Sequence, residues 1–307
     1  MPHSLPNFLL PVSRPHLTFA QLSRFSPSLS SPRLFQITQA ELKPGDCQML
    51  DLMRKYVYTF VNSHNFDVPQ DIMTADYTLH MGTDTLIGRD EHYLPAVKHQ
   101  FAQFPNLGYT IHEMLSADDH TAVLFSEHGA SRREPNQLAA WTGVAIYRAE
   151  HDRLAECWVE QDHFGRRHQL ATGVPYQLAP SAIDPWSAHQ PAQLGEQDAL
   201  TRWVTELQQW PPPGADLDSG QAATPQPQID IDSVAVNAAV AEYGQVAFNL
   251  TIRGTYTGGF PDRTSAIGCS VATYVGAFAT VNEGRLEHVR GVSNRVAVQR
   301  QLKDADK

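Results

Sequence analysis

Arg153-Leu154-Ala155-Glu156-Cys157-Trp158-Val159-Glu160-Gln161-Asp162, followed by Gln169-Leu170, is the stretch on which the fold turns. Alternation reads residues 154–161 as a strand that puts Leu154, Glu156, Trp158, Glu160 and Asp162 on one face, barring a bulge. Parts of this stretch return later. Arg153-Leu154 and Gln169-Leu170 recur as Arg285-Leu286 and Gln301-Leu302, both at an offset of 132 residues. Upstream, Ala122–Gly129 is matched by Ala247–Gly254 at an offset of 125, which lays the preceding strand, from Ile111, on Val236. One turn extended by seven residues reconciles the two offsets. Pairs in register, combined with the same order of strands, point to an internal repeat.

Working outward, the strand at 154–161 is the last of four. Tyr109–Leu115, Thr121–His128 and Ala139–Arg148 precede it with period two, split by Asp118-Asp119-His120, Arg132–Gln137 and Glu150-His151-Asp152. Before them the period is helical. Asp46 can cap a helix carrying Leu50, Met53, Val57, Phe60 and Val61. Pro69 opens a second helix through Gln70–Thr74, and Tyr77–Met81 reads as a short strand. Gly88-Arg89-Asp90 leads into a third helix that ends at Phe104-Pro105-Asn106. Helices followed by a long antiparallel meander predict an α+β cone: a curved sheet with helices on one face, whose mouth suits a small molecule. The second half is shorter. It keeps one helix, Asp198–Trp210, and the sheet, between Pro-rich stretches at 171–194 and 211–228. The expected organisation is a flexible segment at 1–43, a first domain at 44–170, a linker at 171–194 and a truncated second domain at 195–302.

The 307 residues carry a formal charge of −10, with 42% hydrophobic and 18% charged residues. That is globular, and no apolar run is long enough for a membrane span. A net negative chain argues against nucleic acid and anionic membranes as partners. The three cysteines, Cys47, Cys157 and Cys269, are scattered, which fits a reducing compartment such as the cytoplasm rather than a disulfide framework. Residues 1–40 hold Arg14, Arg24 and Arg33 and no acid, so the other 267 carry −13. Such a start reads as an unstructured tail, a start placed too early, or a transit peptide.

Several runs resemble the SnoaL-like branch of the nuclear transport factor 2-like superfamily. They are Gly88-Arg89-Asp90, Phe104-Pro105-Asn106-Leu107, Ala117-Asp118-Asp119, Tyr147-Arg148 and the 153–162 stretch with Gln169-Leu170. In the second half, Arg253-Gly254-Thr255-Tyr256-Thr257-Gly258 is similar to a strand-turn of the same family. The resemblance implies an α+β cone whose outer sheet face is used for dimers. It also implies a polyketide cyclase, isomerase, dehydratase, epoxide hydrolase or binding protein, mostly without a cofactor. In the cyclases of this family the Asp after the Trp is the acid/base, a position held here by Asp162.

A carboxylate at the mouth of an apolar cavity has its pKa raised and becomes a proton shuttle. Asp162 is therefore the expected catalytic residue, with His80 or His128 as a second acid/base. The alternative for Asp162 is a structural acid that bonds a helix or loop. Its counterpart at offset 132 is Asn294, which cannot exchange protons in this way. Tyr58, Tyr77, Trp141 and Trp158 are the candidates to line a pocket for a flat ligand. No metal and no cofactor are expected, since HExxH, close Cys/His sets, P-loops and nucleophile signatures are absent. The expected function is cofactor-independent acid/base chemistry (cyclisation, isomerisation or dehydration) on a small hydrophobic carbonyl compound. A non-catalytic ligand-binding module is the rival. An epoxide-hydrolase-like enzyme is a third reading, for which Glu127 or Glu160 would have to supply a second carboxylate. The chain itself is expected to form a dimer-like pair of its two halves, with higher homo-oligomers left open. The apolar side Val246, Phe248, Leu250 and Ile252 is expected to cover the first domain's outer face.

Overall fold

Helical spacing of Met49, Leu50, Met53, Val57, Phe60 and Val61 builds α1 (Pro44–Arg54), which runs on as a π-helical stretch, Lys55–Val61, with all six side chains buried. The computed structural model describes residues 44–134, 137–187, 195–218 and 224–305. The expected flexible segment at 1–43 and the end of the linker, 188–194, lie outside the described residues. After α1 come α2 (Pro69–Ile72), β1 (Met73–Met81) and β2 (Asp84–Ile87). A π turn over Arg89–Tyr93 then leads into α3 (Leu94–Gln103). The meander follows as β3 (Gly108–Ala117), β4 (His120–Ala130), β5 (Leu138–Glu150) and β6 (Arg153–Gln161), closed by α4 (His163–Thr172).

The six strands form one sheet in the order β2-β1-β6-β5-β4-β3. All neighbours are antiparallel except β1 and β6, which run parallel. This is the curved α+β sheet that the resemblance implies. Its inner face, with Tyr77, Tyr109, Val123, Phe125, Trp141, Tyr147, Cys157 and Val159, packs on α1, the π-helical stretch and α3 as the first core. Three elements were not legible in the sequence: β2, α4 and an early start of β1, which takes over the end of the expected second helix at Met73.

The second half comprises α5 (Glu196–Glu206), β7 (Gln209–Trp210), β8 (Asp216–Leu217), β9 (Gln228–Glu242), β10 (Gln245–Gly258), β11 (Ser270–Asn282), β12 (Arg285–Ser293) and α6 (Arg295–Ala305). Its sheet has the order β7-β9-β10-β11-β12-β8, again with one parallel pair, β12 and β8. The bounds of β5 and β6, moved by 132 residues, are those of β11 and β12. Moving β4 by 125 gives the start of β10. Side chains follow the same shift. Gln169 bonds the backbone N–H and C=O of Ala140, and Gln301 bonds those of Ala272. Asp162 accepts from the Gly165 N–H, and Asn294 from that of Ala297.

Outer sheet faces meet between the halves. Leu115, Leu124, Val144 and Ile146 of the first sheet pack with Val240, Ala247, Phe278 and Val292 of the second. The approach is close: a Cβ on Gly276 would stand 2.8 Å from the Cβ of Val144, so only glycine fits there. The covering side differs from the expected one. Val246, Phe248, Leu250 and Ile252 turn into the second half's own core, and Ala247 faces the first sheet. The larger apolar side of β10 goes to its own core, and the smaller side, at Ala247, meets the first sheet beside Phe278. Polar links rim the contact: the Ser116 N–H donates to Glu242 (2.9 Å), Asn294 Nδ2 donates to Glu160 (2.9 Å), and Arg290 pairs with Glu113.

Candidate functional site

Alternation along β4 sends Val123, Phe125 and Glu127 inward and Leu124, Ser126 and His128 outward. Glu127 thus enters a partly enclosed cavity of about 110 Å³ under the first sheet. The walls are largely apolar, from Val61, Leu79, Met81, Leu86, Val97, Phe101, Phe125 and Val159. Tyr56, Tyr93, Tyr109 and Tyr147 supply hydroxyls, and Gln100 and Gln161 supply amides.

Glu127 is 7% exposed, and its Oε2 accepts from Gln100 Nε2 at 2.6 Å. Burial raises its pKa to about 7, against the opposing pull of Arg166 and the hydrogen bonds from Gln100 and Trp141. It is the one carboxylate among the described residues that line the cavity. Tyr56 and Tyr93 share a hydrogen bond of 3.1 Å between their hydroxyls. Burial pushes the pKa of all four tyrosines up, so they stay neutral donors. Burial also raises the Cys157 thiol, which leaves no thiolate nucleophile there. A carboxylate near neutrality facing hydroxyl donors across an apolar space can move a proton and hold a developing oxyanion.

The residues expected from the sequence lie elsewhere. The alternation on β6 holds, but the face with Glu156, Trp158 and Glu160 is the outer one, while Cys157, Val159 and Gln161 line the cavity. A bulge between Arg148 and Ala149 lets Leu154 turn inward, away from the rest of its expected face. Asp162 stands at the helix end, not in the cavity. Its Oδ1 caps α4 through the Gly165 N–H (2.8 Å) and pairs with Arg295 Nη2 of the second half (2.5 Å). Arg295 Nε in turn lies 3.4 Å from Asp218, and all three side chains are fully buried. Desolvation and the nearby Asp218 raise Asp162 to about 6, against Arg295.

His80 bonds Glu156 (2.9 Å) and stacks on Trp158 at 5.5 Å, on the outer side of the sheet. His128 faces a separate open groove beside His64 and Gly108, and burial and His112 lower its pKa. The structure therefore does not bring Asp162, His80 and His128 together. None of the four expected aromatics lines the cavity. Tyr58 is half exposed and holds Trp186 (3.2 Å), and Tyr77 is core packing against Tyr93. Trp158 lies in the contact between the sheets. Trp141 is one layer behind, where its Nε1 donates to Gln161 at 3.0 Å.

Glu127 carried a signal in the sequence: an acid flanked by apolar residues at alternate positions in a long strand. No set of three His, Cys, Asp or Glu side chains arranged for a metal occurs among the described residues. No described helix is long and apolar enough to cross a membrane.

Residues 53–157 match the family model of the SnoaL-like domain. A search of the curated proteins finds no match. Among solved structures, a putative polyketide cyclase from Streptomyces antibioticus is similar at 18% identity, covering 39% of this chain and 96% of that one, with a TM-score of 0.34. A putative polyketide cyclase from Acidithiobacillus ferrooxidans is similar at 18% identity, with 43% and 99% covered and a TM-score of 0.38. An epoxide hydrolase from M. tuberculosis is similar at 10% identity, with 43% and 95% covered and a TM-score of 0.36. The match to the SnoaL-like domain at residues 53–157 thus takes in Glu127 and most of the walls around it.

Proposed function

We propose that the first half is an enzyme of cofactor-independent proton transfer, with Glu127 as its acid/base. The substrate class is a small hydrophobic compound with a carbonyl group. Glu127, ionised, takes a proton from the carbon beside the carbonyl. A tyrosine hydroxyl donates to the oxygen, where the negative charge of the enolate develops, and Glu127 returns the proton to that carbon or another. Isomerisation, dehydration and ring closure all begin this way. The observation that supports the reading is the single carboxylate, raised to about 7, inside a tyrosine-lined cavity. A volume of about 110 Å³ suits a ligand of about one ring, since a closed apolar cavity of about 150 Å³ takes up benzene. The epoxide-hydrolase reading loses support, because it needs two carboxylates in the cavity and Glu127 is the one among the described lining residues, while Asp162 and Glu160 are held outside it. The second half is proposed as a reduced copy whose role is to cover the first sheet. Free, buried Cys157 fits the proposal of a cytoplasmic location.

The test is proton exchange. A panel of small cyclic ketones is incubated with the protein in D2O and followed by NMR. Exchange at the carbon beside the carbonyl is expected, with a loss of ~10²–10⁴-fold in Glu127→Gln. Binding without exchange would favour the non-catalytic reading, and equal exchange by the variant would remove Glu127 from the chemistry.

A further inference from the structure

Three arginines meet on the far side of Trp141 from the Glu127 cavity. Arg166 and Arg167 come from α4, and Arg133 from the loop between β4 and β5. With Gln103, Glu134 and the end of α4 they line a depression of about 400 Å³. The arrangement is unusual in a chain of net charge −10. Arg166 is largely buried, its guanidinium 4.9 Å from the Trp141 ring centre and 5.7 Å from that of Phe104.

Neither the Arg166 nor the Arg167 guanidinium makes an ion pair or a hydrogen bond to any described residue, and that of Arg133 bonds only His99, at 2.8 Å. The one acid in the lining, Glu134, accepts from Ser131 Oγ at 2.5 Å. Burial lowers the pKa of Arg166, with Arg167 and Arg133 adding to it and Glu127 and Glu134 opposing. Like charges gathered without acceptors are costly, and an oxyanion bonded to the guanidinium forks relieves that cost.

We infer that Arg133, Arg166 and Arg167 form a binding site for a dianionic oxyanion group of the phosphate-monoester type. Three cations against one carboxylate leave an excess of two positive charges, which matches a dianion. The depression also has room for the group that a phosphate would carry. The site is separate from the Glu127 cavity, and its test does not depend on the chemistry proposed there.

Inorganic phosphate is titrated into the full chain by calorimetry at constant ionic strength, with sodium formate as a monoanionic comparison. Saturable binding of about one phosphate is expected, with formate at least tenfold weaker. The double variant Arg133→Gln/Arg167→Gln should weaken phosphate by tenfold or more. Both side chains are exposed, so the variant should keep the wild-type melting temperature in chloride. No saturable phosphate binding, formate binding as tight as phosphate, or a double variant that binds as wild type would each overturn the site.

Discussion

Burial raises Glu127 to about 7 and Glu160 to about 8, from 4.5. Both groups therefore hold their proton more tightly when folded. Their contribution to stability is fully present below about pH 4.5 and is lost as pH rises through 7 to 8. The melting temperature of the wild type should thus fall across this window. Glu127→Gln removes one of the two groups and should melt several degrees above wild type at pH 8, with the difference closing near pH 5. Parallel melting curves against pH would show that Glu127 is not held in a desolvated state. Asp162 should behave differently. Asp162→Asn leaves Arg295 still paired with Asp218, so no buried charge is stranded, and it should cost less stability than Arg295→Met, which strands both acids, with ligand binding in the Glu127 cavity unchanged. Calorimetric unfolding of the two variants checks the order. The place of Asp162 was hard to read in the sequence because β6, which it follows, is covered on both faces. Alternation sorts Glu156, Trp158 and Glu160 from Cys157 and Val159, but it does not say which set looks into the cone.

Periodic apolar side chains made the long elements readable: α1, α3 and the four-strand meander follow the pattern of the sequence. The helix α4 was missed because His163, Arg166, Arg167 and His168 leave it only Phe164 and Leu170 as large apolar residues. What fixes it is hydrogen bonding, since Asp162 caps its start and Gln169 clips it to β5 through both backbone groups of Ala140. Gln169 is fully buried, so Gln169→Ala should leave those groups unpaired and cost about 1–3 kcal/mol. Gln301, which makes the matching clip to β11 but is partly exposed, should cost less when replaced. Equal losses in urea melts would contradict this ranking. The hairpin between β1 and β2 depends on one glycine. Gly82 has φ +58°, its N–H donates to Glu160, and an added Cβ would stand 2.6 Å from Asn294 Nδ2. A turn tip this tight against the other half shows only when both halves are in place.

The pairing of the halves was partly legible. The repeat offsets and the expectation of a covered outer face came from residue patterns. Which side of β10 does the covering did not, because Val246, Phe248, Leu250 and Ile252 are the more apolar side and Ala247 lies on the side that meets the first sheet. Small residues there let two sheets come close, a need that hydrophobicity alone does not reveal. A fragment of residues 45–175 would expose Leu115, Leu124, Val144 and Ile146 and should self-associate at tens of micromolar in sedimentation. A stable monomer would mean that the second half is not needed as a cover.

The buried link from Asp162 through Arg295 to Asp218 ties that cover to the chain it protects. Two separate subunits joined across such a face would come apart on dilution, and their stability would fall with concentration. Here both sides travel on one polypeptide, so each meets the other at a local concentration that no dilution changes. The contact between the two sheets should survive in a nanomolar solution as it does in a concentrated one, and the cavity in the first half keeps its walls wherever the protein is scarce.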